Sequence, residues 1–238
     1  MPMADSSDGL NVVHLGLVPY AEGLRLQERL RDAVEDGRLE QTLLLLEHEP
    51  ACTVGRRSGD GELAMDPAWY AERGIGIFET DRGGKVTYHA PGQLVGYPVM
   101  RVTDPVAHVR AMEEAIVATL ASEGIGARSR PDEGPDFTGV WVGERKIASI
   151  GVHVRRGIST HGFAINAEME MEPWSWIVPC GLSTPMTSTE LETGRAPLVP
   201  SLRRSVATEW ARRCGLREVE LPESELRAAL GAVPAGAA

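Results

Sequence analysis

The chain has 238 residues and a formal net charge of −10, with 42% hydrophobic and 24% charged residues. Length and composition predict a globular protein of one large domain or at most two small ones. The acidic balance argues against a general nucleic-acid-binding protein, and no apolar run approaches the roughly 20 residues of a membrane span. We therefore expect no nucleic acid and no membrane among its partners.

The first half of the chain mixes strand and helix patterns. In chain order we predict a strand, a helix, a buried strand, a turn-rich loop, a short helix capped by Asp66, a strand, and a strand broken by glycine and proline. These segments span residues 11–18, 21–37, 42–47, 50–61, 66–71, 75–79 and 94–102.

The second half is richer in strands. Asp104-Pro105 begins a helix that ends at Gly124, and an amphipathic helix is predicted over 201–214 after a mostly irregular stretch at 173–194. Between them, tight turns join three strand patterns into an antiparallel meander. These strands span residues 139–142, 146–154 and 159–167. Regular βαβ alternation is missing, so we predict an α/β (α+β) fold, a single domain whose mixed or mostly antiparallel sheet is flanked by helices.

The N-terminal sequence and the number of cysteines indicate where in the cell the protein is located. The start, MPMADSSDGLN, lacks the basic and apolar regions of an export signal, and three cysteines, at positions 52, 180 and 214, are too few for a disulfide framework. These features predict a cytoplasmic protein with reduced thiols. We expect residues 1–9 to be disordered, 10–230 to form one catalytic domain, and the Ala/Gly-rich residues 231–238 to be a frayed tail.

Positive charge is concentrated in the middle of the chain. Residues 51–160 carry 13 Lys/Arg and 14 Asp/Glu, whereas the rest carries 11 and 20. The basic clusters are Arg56-Arg57, Arg82 with Lys85, Arg145-Lys146 and Arg155-Arg156. Such local patches on an acidic protein predict an acidic partner or an anionic substrate.

Only two lysines occur, Lys85 and Lys146, against 22 arginines. Lysine, unlike arginine, gives up its proton when it is desolvated, so it can act as a base or activate a thiol. Lys146 is followed 34 residues later by Cys180, in the tripeptide PCG. We hypothesise that these two residues work as a pair.

The strongest local motif is RGGKVTYHAPGQ, residues 82–93. Glycine pairs let backbone amides approach a ligand closely, and His89 can donate to or accept from a substrate carbonyl. The motif resembles the RGGxxTxHxPGQ signature of lipoyl(octanoyl) transferases. Further blocks resemble the same family in the same order, namely EHEPACTVGR, GVWV with KIASIGV, HGFAIN and PCG. One departure is Cys52, at a position often aromatic in the family, and we assign it no role.

The resemblance implies the fold of biotin and lipoate protein ligases and a defined reaction. Members transfer an octanoyl or lipoyl group from octanoyl-acyl carrier protein to a specific lysine of lipoyl domains, the first step of endogenous protein lipoylation. The acceptors are 2-oxoacid dehydrogenase E2 subunits and the glycine cleavage H protein. Cys180 matches the nucleophile, through an acyl-Cys180 thioester, and Lys146 matches the residue that activates it. No nucleotide-binding string occurs, and we expect no cofactor and no metal.

The same resemblance assigns three segments to the acyl and carbonyl site. They are Arg82, Gly83, Gly84, Lys85, Val86, Thr87, Tyr88 and His89; Ser149, Ile150 and Gly151; and Gly162, Phe163 and Ala164. His89 is assigned either a carbonyl contact or a structural hydrogen bond. His153 and His161 fall on adjacent predicted strands and are assigned supporting roles rather than metal ligation, because no third ligand has suitable spacing.

Three alternatives stay open on sequence alone. An ATP-dependent lipoate or biotin-type ligase of the same fold would have no use for Cys180. A thiol hydrolase would pair Cys180 with His89 or His161. A non-catalytic binding module would leave Cys180 and Lys146 without a role.

Overall fold

An eight-stranded mixed sheet runs through the computed structural model, which describes residues 9–178 and 185–231. Its strands are β1 (Gly9–Val18), β2 (Thr42–His48), β6 (Gln93–Val99), β7 (Arg128–Ser129), β8 (Gly139–Val142), β9 (Arg145–Arg155), β10 (Ile158–Asn166) and β11 (Arg217–Glu220). Their order across the sheet is β11-β1-β2-β6-β10-β9-β8-β7. β1 is parallel to β2 and β11, and the other neighbours are antiparallel.

A second sheet of three short strands lies beside the first. It contains β3 (Ala51–Val54), β4 (Gly76–Glu79) and β5 (Thr87–His89) in the order β4-β3-β5. β3 is parallel to β4 and antiparallel to β5. The loop between β4 and β5 contains residues 82–86, the start of the RGGKVTYHAPGQ motif, and β5 continues it. The small sheet therefore places this motif next to the large sheet.

Helices cover both faces of the large sheet. They are α1 (Tyr20–Glu35), α2 (Pro67–Glu72), α3 (Pro105–Ser122), α4 (Thr189–Thr193), α5 (Val199–Cys214) and α6 (Glu223–Ala229), with 3₁₀ turns at Pro131–Glu133, Pro135–Phe137 and Glu172–Trp176. Asp66 and Asp104 cap α2 and α3 by accepting hydrogen bonds from backbone N–H groups of the first turn. No helix in the described ranges is both long and apolar enough to span a membrane.

The leucine run of β2 shows why the sheet is buried on both sides. Leu43 and Leu45 pack into the core beneath α3 and α5, whereas Leu44 and Leu46 pack into the core beneath α1. Successive side chains of a strand point to opposite faces, so a strand covered on both sides is apolar throughout. The central position of β2 therefore follows from its composition.

The predicted fold class is confirmed, and so is the meander, which β8, β9 and β10 form through antiparallel pairing. Three features differ from the sequence-based expectations. The predicted loop at 50–61 contains β3, Gly9 already belongs to β1, and β7, β11 and α6 were not expected from the pattern. The strands β3, β7 and β11 are short and rich in polar or small residues, and pairing with a neighbouring strand stabilises them. Of the predicted end segments 1–9 and 231–238, residues 1–8 and 232–238 lie outside the described residues.

A buried histidine beneath the large sheet gives stability a pH dependence. His108 is 8% exposed, its ring lies edge-on to Trp210 at 5.4 Å between centroids, and its Nε2 has no partner among the described residues. Burial lowers the pKa of His108 to about 4. The unfolded chain therefore takes up this proton first, and stability falls as the pH drops from about 6.5 towards about 4.

Replacing this residue, His108→Leu, is expected to remove that loss. Between about pH 7.5 and about pH 5, the variant should lose about 2 kcal/mol less of its free energy of unfolding than the wild type. Urea unfolding at the two pH values measures the difference. Parallel losses in both proteins would mean that His108 is not held neutral by the fold.

Candidate active site

A cleft lies where the small sheet faces β9 and β10, and it offers about 640 Å³ of empty space with its open mouth included. Of the residues assigned to the site from sequence, its wall contains Arg82, Gly84, Lys85, Val86, Thr87, His89, Lys146, Ser149, Ile150, Gly151, His161, Gly162, Phe163 and Ala164. Segments far apart in the chain thus converge on one concave surface.

Three of the assigned residues do not line this cleft. Tyr88 points away from it into the apolar cluster behind the small sheet, where its ring packs edge-on to Trp174. The physical reason is the two-residue period of β5, which turns Thr87 and His89 towards the cleft and Tyr88 to the opposite face. Gly83 instead joins the small sheet to β9, donating its N–H to the Val152 carbonyl at 2.9 Å. His153 lies beside the wall rather than on it.

Lys146 is a buried lysine on the wall of the cleft, with only 2% of its surface exposed. A bulge places it, because Val140 pairs with Ala148 whereas the next residue, Trp141, pairs with Lys146, leaving one extra residue on β9. Bulges re-aim side chains and recur next to active sites. The Lys146 Nζ lies 5.2 Å from the centroid of the Trp141 ring, within the range of a cation–π contact.

Gly139 bounds the other side of the lysine side chain. A Cβ added at this glycine would lie 2.4 Å from the Ala148 carbonyl oxygen, 2.7 Å from Lys146 Cε and 3.3 Å from Nζ, so it would meet both the β9 backbone and the lysine. The residue also has φ +134°, which L side chains rarely adopt. Glycine at 139 is therefore what leaves room for the lysine.

The chain that follows the PCG tripeptide is bonded to Lys146 itself. Cys180 lies outside the described residues, which end at Val178 and resume at Pro185. The Lys146 N–H donates to the Pro185 carbonyl at 2.9 Å, and the Thr187 N–H donates to the Lys146 carbonyl at 2.9 Å. Pro185 is five positions after Cys180 in the sequence.

The tautomer of His89 is set by a chain of hydrogen bonds. Asn166 Nδ2 donates to the Thr187 carbonyl at 2.9 Å, and Gln93 Nε2 donates to Asn166 Oδ1 at 3.0 Å and to the Tyr88 carbonyl at 3.1 Å. Because both of its amide hydrogens face acceptors, Gln93 presents its oxygen to His89 Nδ1 at 2.7 Å. His89 therefore donates from Nδ1, which leaves Nε2 as an acceptor.

At the end of the cleft around His89, burial keeps two histidines and two tyrosines neutral. Burial lowers the pKa of His89 well below its usual value and lowers that of His48 to about 4. Burial also raises the pKa of Tyr97 far above its ordinary value and that of Tyr20 to about 12. His48 donates from Nδ1 to the Val18 carbonyl and accepts from the Tyr97 hydroxyl, at 2.7 and 2.6 Å. A neutral, partly apolar end of this kind suits an uncharged group.

The two supporting histidines share one carboxylate. His161 Nε2 lies 2.7 Å from Asp81 Oδ1, and His153 Nδ1 contacts Asp81 Oδ2. The pKa of Asp81 is lowered, first by the hydrogen bond from His161. His161 has φ +58°, and its N–H donates to Gln27 Oε1 at 2.6 Å. No group of three or more His, Cys, Asp or Glu side chains in the described ranges is arranged to hold a metal ion.

Arg82, on the wall of the cleft, also bonds to the backbone and side chain of the small sheet. Its guanidinium donates to the carbonyl and the hydroxyl of Thr53, each at 2.7 Å from Nη2, and to the Gly83 carbonyl. The contributors to the site that were not singled out from the sequence include Tyr20, Asp81, Tyr97 and Trp141. Trp141 belongs to a quoted motif, but the other three carry no local signal.

A known protein family and several solved structures are similar to this chain. Residues 19–211 match the lipoyl protein ligase A/B catalytic domain family. The fold resembles a bipartite lipoate protein ligase of Thermoplasma acidophilum, with a TM-score of 0.71 and 18% identity over 93% of this chain and 90% of that one. It also resembles P. falciparum LipL1 in complex with lipoate, with a TM-score of 0.68 and 11% identity over 95% and 68% of the two chains. These similarities define the chain as a catalytic domain of the lipoyl protein ligase A/B class.

Sequence relatives give the family within this class. An octanoyltransferase of Acidobacterium capsulatum is 44% identical over 201 residues, which cover 77% of this chain and 80% of the relative. An octanoyltransferase of Geobacter sulfurreducens is 42% identical over 219 residues, covering 90% and 87%. The chain belongs to the octanoyltransferase family, and it is an acyltransferase.

Proposed function

We propose that this enzyme transfers an octanoyl group from octanoyl-acyl carrier protein, or a lipoyl group from the corresponding lipoyl thioester, to a specific lysine of lipoyl domains, through an acyl-Cys180 thioester. The acceptors are the lipoyl domains of 2-oxoacid dehydrogenase E2 subunits and the glycine cleavage H protein. The observation that carries the proposal is Lys146, a buried amine on the wall of a partly apolar cleft, bonded through its backbone to the chain just after Cys180. We place the reaction in the cytoplasm and in one catalytic domain, residues 10–230.

In the first step, the Cys180 thiol gives up its proton and its sulfur attacks the donor's thioester carbonyl. The bond from that carbonyl to the carrier's sulfur breaks, and the carrier leaves as a thiol after regaining a proton. One thioester replaces another, so the step is close to neutral in energy. A nearby cation or base promotes formation of the thiolate, and Lys146 is the buried basic group assigned to this role.

In the second step, the amine of the acceptor lysine attacks the acyl-Cys180 carbonyl. An amide forms, the bond to sulfur breaks, and the proton lost by the amine passes by way of Lys146 to the departing thiolate. Conversion of a thioester to an amide is downhill, so no nucleotide is needed. A lysine suits both steps because it gains and loses a proton, which an arginine does not.

Apolar side chains would hold the acyl chain. Val86, Ile150, Phe163 and Ala164 line the cleft beside Lys146. Each buried methylene contributes about 0.8 kcal/mol, so the wall supplies affinity while the polar groups orient the carbonyl. His89 presents an acceptor to the cleft, so its proposed role is to receive a hydrogen bond from a substrate N–H rather than to hold the carbonyl oxygen.

The hydrolase alternative is less well supported by the geometry. A cysteine hydrolase needs a histidine that takes a proton near neutral pH. The pKa of His89 is lowered far below neutrality by burial, and His161 is bonded to Asp81 through Nε2. His89 is therefore not in the state that such a base requires.

An assay without nucleotide separates the proposal from an ATP-dependent ligase. The enzyme is mixed with octanoyl-acyl carrier protein and a lipoyl domain, and in parallel with free octanoate, ATP and the same domain. We expect an octanoyl gain on the lipoyl domain only in the first mixture. A gain only in the second would assign the chain to the ligases and refute the proposal.

The exposed rim of the cleft favours one basic cluster for docking the acidic carrier. Arg57 lines the rim with Lys85 and is bonded to Asp136 at 3.3 Å. Arg155 and Arg156 lie instead among acidic residues at the end of α1, where Arg156 pairs with Glu35. A cluster beside the opening can contact a carrier whose acyl chain is inside.

Charge reversal of Arg56 and Arg57 to glutamate is therefore expected to lower kcat/KM with octanoyl-acyl carrier protein by about 10-fold or more at low salt. The value with a small octanoyl thioester should change far less. Reversal of Arg155 and Arg156 is the matched control, and it should spare both donors. Equal losses with the two donors, or a larger loss in the control, would contradict this docking site.

A further inference from the structure

A fully buried carboxylate stands behind the lysine and has no part in the steps above. Glu113, on α3, has 0% of its surface exposed. Removing a carboxylate from water is unfavourable unless hydrogen bonds and opposite charge compensate it. Its two oxygens have separate partners, since Oε2 lies 2.5 Å from Arg110 Nη1 and Oε1 accepts the Gly139 N–H at 3.0 Å.

The glycine at the end of that hydrogen bond is the one packed against Lys146. The Cα of Gly139 sits so close to the lysine that a single added carbon would lie 2.7 Å from Lys146 Cε. Gly139 is also the first residue of β8, two positions before the ring of Trp141 that flanks the lysine amine. A shift of this strand end would therefore move a wall of the lysine's binding space.

Within the sheet, Gly139 is held by its pairing with β9. Its partner in the β8–β9 register is Ser149, and the register shifts by one residue just after Val140. This pairing is interrupted two residues further on by the bulge, so a bond from outside the sheet adds a constraint on this strand end. Glu113 supplies a bond from a different layer of the fold, because α3 packs against the sheet from outside.

We propose that Glu113 is a positioning residue, which holds Lys146 in place by fixing Gly139. The proposal rests on the proposed function in one respect, since Lys146 must be the group that activates Cys180. A purely structural Glu113 would stabilise α3 against β8 without affecting the lysine. The two roles make different predictions for the lysine signal and for the rate of octanoyl loading.

The two-lysine composition provides a direct readout. Protein labelled with ¹³C at lysine Cε gives one NMR signal for Lys85 and one for Lys146, assigned with Lys85→Arg. We expect Glu113→Leu to shift or broaden the Lys146 signal and to leave the Lys85 signal in place. Glu113→Gln keeps an oxygen for the Gly139 N–H, so it should retain the wild-type Lys146 signal. An unchanged Lys146 signal in folded Glu113→Leu would overturn the proposal.

Loading kinetics test the same point on the whole enzyme. At saturating octanoyl-acyl carrier protein, Glu113→Leu should load octanoyl at least about 10-fold more slowly, with KM within about two-fold of wild type. Glu113→Gln should recover most of the rate. The matched control is Glu114→Leu, at the next position, where an exposed carboxylate pairs with Arg213. A wild-type loading rate in Glu113→Leu, or a loss in Glu113→Gln as large as in Glu113→Leu, would contradict positioning through Gly139.

Two further outcomes are distinguishable. If Glu113→Leu does not fold, Glu113→Asp replaces it, because that variant keeps the charge but withdraws the carboxylate from Gly139 by one methylene. The same loss of rate is expected, and a wild-type rate would refute the proposal. If the wild type itself gains no octanoyl group, the proposed function fails, and the Lys146 signal still decides the role of Glu113.

Discussion

Lys146→Arg is expected to reduce octanoyl transfer by at least about 100-fold, the lower range for loss of a general acid–base group. Arginine keeps the positive charge but holds its proton throughout the pH range in which the enzyme is folded. It also carries a larger, planar head into a space bounded by Gly139 and Trp141. The rate of acyl transfer to a lipoyl domain at saturating donor measures the loss.

A neighbouring substitution controls for the change of side-chain type. Arg145→Lys makes the reverse exchange at the next position, where the side chain is exposed and bonded to Glu192. This variant is expected to stay within about two-fold of the wild type. Wild-type turnover in Lys146→Arg would contradict a proton-transfer role and would leave Lys146 with a purely structural or charge-based function.

Gly139→Ala is expected to reduce transfer by at least about 10-fold while leaving the protein folded. The added methyl group would stand 2.4 Å from the Ala148 carbonyl oxygen and 2.7 Å from Lys146 Cε, so the β8–β9 backbone and the lysine stem beside Trp141 must both adjust. The substitution also places an L side chain at φ +134°, so the free energy of unfolding should fall by about 1–3 kcal/mol. Urea unfolding and transfer kinetics on the same preparation separate the two effects.

Gly143→Ala is the matched control for backbone strain. Gly143 follows β8, has φ +58°, and has open space where a Cβ would stand. Its substitution should destabilise the fold by about 1 kcal/mol without slowing transfer. If the folded Gly139→Ala enzyme were as active as Gly143→Ala, the glycine would not be what shapes the space around the lysine.

Much of the fold follows from local pattern. The run of leucines in β2, the capped start of α3 and the tight turns of the β8–β9–β10 meander each predict their own element. The missed strands β3, β7 and β11 have at most four residues each. Such strands carry little periodic signal, and they form because a partner strand supplies hydrogen bonds that the sequence does not display.

The site, like the fold, was predicted only in part from the sequence. Motifs located most of the cleft wall because they are contiguous stretches of strand and loop. They did not locate Asp81 beneath His153 and His161, Glu113 behind Gly139, or the hydrogen bonds that set the His89 tautomer. These contacts join residues that are distant in sequence, so they depend on the tertiary register. Tyr88 was wrongly assigned to the cleft wall. It belongs to the motif, but its side chain points to the face of β5 opposite the cleft.

The central claim is a covalent octanoyl group on Cys180, and intact mass measures it most directly. The wild type and Cys180→Ser are each mixed with octanoyl-acyl carrier protein and no acceptor, and the mass of each protein is recorded before and after a lipoyl domain is added. The account predicts a gain of one octanoyl group on the wild type alone, lost when the lipoyl domain is added and recovered on that domain. Octanoyl transfer to the lipoyl domain without any prior gain on the enzyme, or an equally fast transfer by Cys180→Ser, would contradict it.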